Sequence, residues 1–536
     1  MKKDKNMRKI LNIIGLSSVV LLMASCDMDK LPQGNLNRDE AFKDLASIEY
    51  MEKGAYARMR DNFSVDNVLV SDIQADYVNA LTGYTNKYGE IYKWSFQQQD
   101  LSVKLTWENC YLTIAQCNFI LDGIDAVYDS YDEAADLNRL ELVRGRIHLI
   151  RAMSYSTLAE RYCADYDAAT AKKEFSGVPL LTTFSPADKP GRATLDAVYQ
   201  LILEDIAAAK QRLAKQEGAA DAIYLNRDCV TAFAAHVYLQ MDMYPEALAA
   251  ANSLIKNSAY ALASSLEEFD DVWTYDRGKE IIFKFAASKT ELAPTYAIPF
   301  FMDQYGGMGN ELNGPNFRVW TPDYVPTQSL IDMYDKDDYR GKSWFYVCRL
   351  IDETKLDMST AGEFTIDPGY TLISKFPGNP DLRTSNSWNF SNTWKVFRLA
   401  EMYLIAAEAA THTGGDAKTP LNTLRTHRGL AELPAVTMTE IKAERYKELM
   451  LEGYRMTDLK RWGDGFKRGI SQYATFLKYN PITQKNEFQK EDFISIPAAR
   501  DLDAKAGDFH FVWPIPYDEI FANQNLRSQQ NPGWER

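Results

Sequence analysis

Histidine is scarce in this sequence, five residues in 536, and none of His148, His236, His412, His427 or His510 lies in an HExxH pattern. A GxSxG elbow and a phosphate-loop sequence are also absent, so the common signatures of hydrolases, zinc peptidases and nucleotide enzymes are missing. Gly306-Gly307-Met308-Gly309-Asn310 lacks the last glycine and the preceding strand of a dinucleotide fingerprint, and reads as a loop. Asp335, Asp337 and Asp338 lack the glycine and glutamate of a calcium loop and read as a solvated turn. Neither metal nor cofactor is expected. Cysteine is sparse too: beyond Cys26 there are Cys110, Cys117, Cys163, Cys229 and Cys348, an odd number that makes no disulfide framework. Cys110 and Cys117 stand seven apart in one expected helix, roughly 10 Å of rise, which is too far for a bridge. Positive charge is outweighed: 60 Lys and Arg face 74 Asp and Glu, for a net charge of −14. That excess argues against a nucleic-acid partner.

Only one apolar run is long, and it stands at the N-terminus. Lys2, Lys3, Lys5, Arg8 and Lys9 precede the run Ile10 to Met23, and the segment ends Leu22-Met23-Ala24-Ser25-Cys26. A basic start, a short apolar stretch and small residues before a cysteine make residues 1–25 a signal peptide. Its end resembles a bacterial lipobox, with Met23 in place of the usual leucine, and this makes Cys26 the expected lipidation site. Without residues 1–25 the net charge becomes −18, since that segment holds five basic residues and one acid.

Helical periodicity dominates the first half. Ala41, Phe42, Leu45, Ile48, Ala55 and Met59 recur at helical spacing behind Asn37, which can cap them. Further helices are expected through 107–124, 140–162 and, behind Thr194, 195–213. Residues 61–100 read as a loop. Cys229 to Lys256 reads as two helices around Met243-Tyr244-Pro245, with alanines that permit close approach, a tetratricopeptide-type pair. Phe397 to Leu430 reads as a second. Helix is expected from Glu440 to Gly463, opened by a Thr437/Glu440 capping box, and again near Tyr517 to Ala522. Glu280 to Phe285 and Ser343 to Leu350 read as short strands. The expected fold is mainly α, about four helix pairs forming a scaffold, with an irregular loop-rich lobe. Its division is a single unit over 26–536, mainly helical over 26–275 and loop-rich with C-terminal helices over 276–536.

Aromatic residues crowd the expected loops beside amide and acidic groups. Flat C–H faces of sugar rings stack on Trp and Tyr, while Asn, Asp, Arg and Gln serve the hydroxyls. The first loop offers Asp72, Tyr77, Tyr84 and Trp94, the middle Tyr296, Tyr305, Asn310 and Trp320, and a third stretch Trp388. These nine are the candidate ligand-binding residues. No pair of carboxylates stands out for glycoside hydrolysis.

Several segments in one order resemble the SusD/RagB family of outer-membrane nutrient-binding lipoproteins. They are Leu31-Pro32-Gln33-Gly34-Asn35-Leu36 with Phe42, Trp107-Glu108-Asn109-Cys110-Tyr111, Arg151-Ala152 with Tyr155, and Gly177-Val178-Pro179-Leu180. Arg398-Leu399-Ala400-Glu401-Met402-Tyr403-Leu404 follows, then Arg445, Glu448, Glu452-Gly453, Arg455, Asp458-Leu459-Lys460-Arg461-Trp462 and Asn531-Pro532-Gly533. The resemblance implies a non-catalytic protein on the cell exterior, anchored to the outer membrane by its lipid. It also implies delivery of oligosaccharides to a SusC-like TonB-dependent transporter. A peptide-binding member of the same family and a surface glycoside hydrolase are the competing expectations.

Overall fold

A computed structural model describes residues 41–63, 65–80, 86–291, 323–348, 370–384, 391–492 and 501–535. Cys26, the expected signal segment and Asn37 lie outside them. Helix α1 (Leu45–Asn62) begins at Asp44, whose side chain accepts the N–H of Ser47. Its apolar stripe, Ile48, Ala55 and Met59, is fully buried. The next helix, α2 (Val65–Gln74), lies inside the stretch expected to be loop. Leu69, Val70 and Ile73 bury it, and the polar residues Asn67, Ser71 and Asp72 are enclosed with them.

Two long helices form the centre of the frame, α3 (Leu101–Val127) and α4 (Ala134–Tyr162). α3 packs on α1 and α4, and α4 packs on α5 (Leu195–Arg212). Gly123 of α3 is needed for contact: a Cβ there would sit 1.8 Å from the Phe42 ring. Thr194 caps α5 by accepting the N–H of Ala197, as its sequence implies. The expected hairpin is α6 (Arg227–Gln240) with α7 (Tyr244–Ile255), closed on small residues, Ala235, Ala247 and Ala251. α7 packs in turn on α9 (Leu399–Thr413), which carries α10 (Lys418–Thr426) after a left-handed Gly414. A shorter helix, α8 (Leu266–Thr274), intervenes in sequence. The mainly α frame with tetratricopeptide-like helix pairing is therefore what the sequence leads one to expect. The four cysteines Cys110, Cys117, Cys163 and Cys229 are free and buried among apolar residues.

Helix 440–463 is a correction. The capping box of Thr437 and Glu440 forms, but the helix divides into α11 (Met438–Glu448) and α12 (Arg455–Trp462). Leu451 and Gly453 adopt φ of +58° and +89°, which helix cannot accommodate. Asp338 is a second correction: Asp335 and Asp337 are exposed, but Asp338 is buried and paired with Arg340.

Strands among the described residues occur only as antiparallel pairs. β1 (Val78–Ala80) pairs with β3 (Tyr324–Pro326), and β2 (Ile281–Lys284) with β6 (Lys395–Arg398). β4 (Phe345–Cys348) pairs with β5 (Tyr370–Ile373), and β7 (Phe466–Lys467) with β10 (Asp503–Ala504). β8 (Tyr473–Asn480) and β9 (Lys485–Asp492) make a hairpin of two eight-residue strands that alternation does not signal.

Candidate functional site

Three of the nine candidate ligand-binding residues belong to the interior. Tyr77 is buried, donates its phenol O–H to the Tyr446 carbonyl at 3.0 Å and stacks on that ring at 4.5 Å. Trp94 donates its indole N–H to the Gln74 carbonyl, edge-on to Phe466 and Phe511. Asp72 is wholly enclosed and accepts the N–H groups of Gly453 and Arg455 where α12 begins. Burial pushes its carboxyl up to about 7 against those donors. None of the three presents a face to a solute; each uses its polar handle to tie a loop to the frame. Tyr84, Tyr296, Tyr305, Asn310, Trp320 and Trp388 lie outside the described residues.

The described ends of those segments are nonetheless well placed. Ala80 is opposite Tyr324 in the β1–β3 register, so the chain leaves toward 81–85 and arrives from 292–322 at one edge. The Tyr324 phenol donates to the Lys87 carbonyl, which holds the far end of 81–85 to the same edge. At the other end of the long segment, Phe285 donates its N–H to the Trp394 carbonyl, beside the return from 385–390.

One open cleft adjoins these points, and a second lies at the opposite end of the β1–β3 pair. The first, about 210 Å³, is lined by Tyr56, Arg60, Tyr224, Phe285 and Glu291, the last residue before 292–322. The Tyr224 ring is 53% exposed, with Tyr56 edge-on at 6.0 Å and the Arg146 guanidinium at 5.8 Å. Tyr224 sits in the apolar run Ala222-Ile223-Tyr224-Leu225, which in sequence reads as core and gives no sign of exposure. The second cleft, about 340 Å³, is lined by Asp76, Ser329, Met333, Lys442, Trp462 and Lys467. Among the described residues no group of three His, Cys, Asp or Glu side chains is placed to hold a metal ion.

Comparison with known proteins bears on both halves of the chain. The model of the SusD family matches residues 359–534, and a model described as starch-binding associating with outer membrane matches residues 28–239. The chain belongs to the SusD family. SusD-like protein P25 of Formosa agariphila is 21% identical over 516 residues, covering 85% of this chain and 90% of that protein. The starch-binding protein SusD of Bacteroides thetaiotaomicron is 44% identical over a shorter stretch of 105 residues, 17% of this chain and 19% of its own. A SusD-like carbohydrate binding protein from Bacteroides vulgatus has the same fold, with TM-score 0.70 and 19% identity, covering 91% of this chain and 98% of that one.

The SusD-family motif residues turn out to hold the frame. Tyr111, Asn118 and Tyr155 donate to the carbonyls of Pro179 and Leu181, clamping the Gly177–Leu180 loop onto α3 and α4. Arg398 chelates Glu452 at 2.9 and 2.6 Å and reaches Glu280 and Glu448, which Arg428 also engages. Arg445 grips Asp458, and Arg461 with the Trp462 indole N–H grips Glu408. Against the cost of burial, Arg461 holds the Glu408 carboxyl down at about 2. These charges are enclosed and paired, although Arg445 Nη1 and Arg461 Nε find no hydrogen-bond partner among the described residues, and the pairing specifies packing.

Proposed function

We propose that this SusD-family chain is a surface lipoprotein, anchored through Cys26, that captures oligosaccharides and hands them to a SusC-like TonB-dependent transporter without altering them. One observation carries the reading: the described residues flanking 81–85 and the return from 292–322 meet at the β1–β3 edge, 292–322 departs from the open Tyr56/Tyr224 cleft, and Phe285 of that cleft bonds Trp394, shortly after 385–390. Tyr84, Tyr296, Tyr305, Asn310, Trp320 and Trp388 belong to those segments and are the binding residues of this proposal. Tyr224 would extend them with a ring already held from below. Family membership supports the ligand class, because both matching descriptions concern the SusD type and one names starch binding. Association with the outer membrane is part of that description, and no described helix is long and apolar enough to cross a membrane.

Titration calorimetry of the mature chain against a panel of neutral oligosaccharides tests the proposal. Trp320→Ala and Trp388→Ala should each weaken binding about tenfold or more, roughly 1.4 kcal/mol, with unchanged thermal stability. Silence across a chemically varied panel removes it. Release of shortened products from a labelled oligosaccharide by the pure protein would establish a hydrolase instead.

A further inference from the structure

The second cleft differs from the first in its charge and its location. It opens beyond Asp76 and Ser329, at the end of the β1–β3 pair opposite Ala80 and Tyr324. Three cations line it, Lys442, Arg455 and Lys467, against two carboxylates, Asp76 and Asp464. Arg455 is committed: it chelates Asp76 at 2.9 and 2.7 Å and covers the Tyr446 ring at 4.5 Å. Lys442 meets Asp464 at 2.6 Å but remains partly in water; Lys467 is exposed, and Asp503, its cross-strand neighbour, is engaged by Lys505 at 2.7 Å. A local surplus of positive charge is unexpected on a chain with a net charge of −14.

The apolar part of the cleft is equally defined. Trp462 is half-buried, its indole N–H fixed on Glu408 at 2.7 Å and its ring backed by the Arg461 guanidinium. The Lys442 ammonium lies 5.0 Å from that ring, held there by Asp464. Met333, 37% exposed, also lines the cleft. A rigid indole, a soft thioether wall and two ammonium groups at the rim suit a ligand with one apolar face and a negative charge. The volume matches one or two sugar rings.

We propose that this cleft binds an acidic saccharide, its carboxylate placed between Lys442 and Lys467 and a ring face over Trp462. Asp464 and the Ser329 hydroxyl receive and donate hydrogen bonds to the sugar hydroxyls. The site is separate from the loop aromatics, so it stands or falls independently of them.

Calorimetry with tetragalacturonate, an alginate tetrasaccharide and a heparin tetrasaccharide tests it, with methyl-esterified tetragalacturonate as the neutral control. At least one acidic probe should bind, more weakly as salt rises, and Lys442→Ala/Lys467→Ala should reduce its affinity tenfold or more. Lys467→Glu, a change at an exposed position, should do the same with an unchanged melting temperature. Trp320→Ala, aimed at the loop site, should leave this binding intact. Tighter binding of the heparin probe than of both carboxylate probes would replace the carboxylate with a sulfate ester and overturn the assignment as stated. Silence with all three acidic probes, or equal binding by wild type and the lysine variants, overturns it altogether.

Discussion

Trp94 and His236 show how much this fold asks of single side chains. Trp94 fills the gap between Phe466 and Phe511, so Trp94→Ala should cost about 3–5 kcal/mol in urea unfolding. His236 lies between Glu160 at 2.9 Å and Glu401 at 3.1 Å. Burial opposes its charge, but the two carboxylates prevail and lift the imidazole to about 10 from an ordinary 6.5. The folded state thus keeps a proton that the unfolded chain has released between those values. Its stabilisation is full below pH 6.5 and lost by pH 10. The melting temperature should fall across that window, and His236→Gln should flatten the fall. On the acid side, burial works against Glu408 and Glu444, yet their arginine partners hold both near 2 against an ordinary 4.5. Stability from these two is present above pH 4.5 and disappears as pH falls through 2, which circular dichroism melts would record.

At the scale of elements, the break between α11 and α12 is decisive, because it brings Glu448, Glu452 and Asp458 to their partners. Gly453→Ala forces a side chain into φ +89° with Val68 3.2 Å away, and should destabilise by more than about 1 kcal/mol in denaturant titration. Glu448→Ala takes one buried carboxylate from Arg340, Arg398 and Arg428 at once, leaving them with Asp338, Glu452 and Glu280, and this undercompensated charge should cost about 3 kcal/mol by the same measurement. Helices with unbroken stripes and local caps, such as α5 behind Thr194, are legible because their signals lie within a few residues. α2 is not, since its burial comes from partners remote in sequence. The hairpin β8–β9 escapes for a related reason: its sixteen residues mix charged and aromatic types without a clean period of two. Tyr77 and Trp94 mislead in the same way, because a ring with one polar atom serves a ligand and a distant carbonyl equally well.

For the whole molecule, the anchor assignment has a direct test: Cys26→Ser should move the protein from the membrane fraction to the soluble one and remove the lipid mass from the mature chain. A truncated chain lacking residues 1–26 should keep the melting temperature of the full mature chain, since the cut removes none of the described core, whose first members are Ala41 and Phe42.

Phe42 lodged over Gly123 is the first fixed ring among the described residues, sixteen positions after the proposed lipid site. Covalent geometry alone then caps the distance between the two at roughly 55 Å. Under the proposed anchoring, deleting residues between 27 and 40 lowers that ceiling, and should slow uptake by cells while leaving affinity in solution untouched.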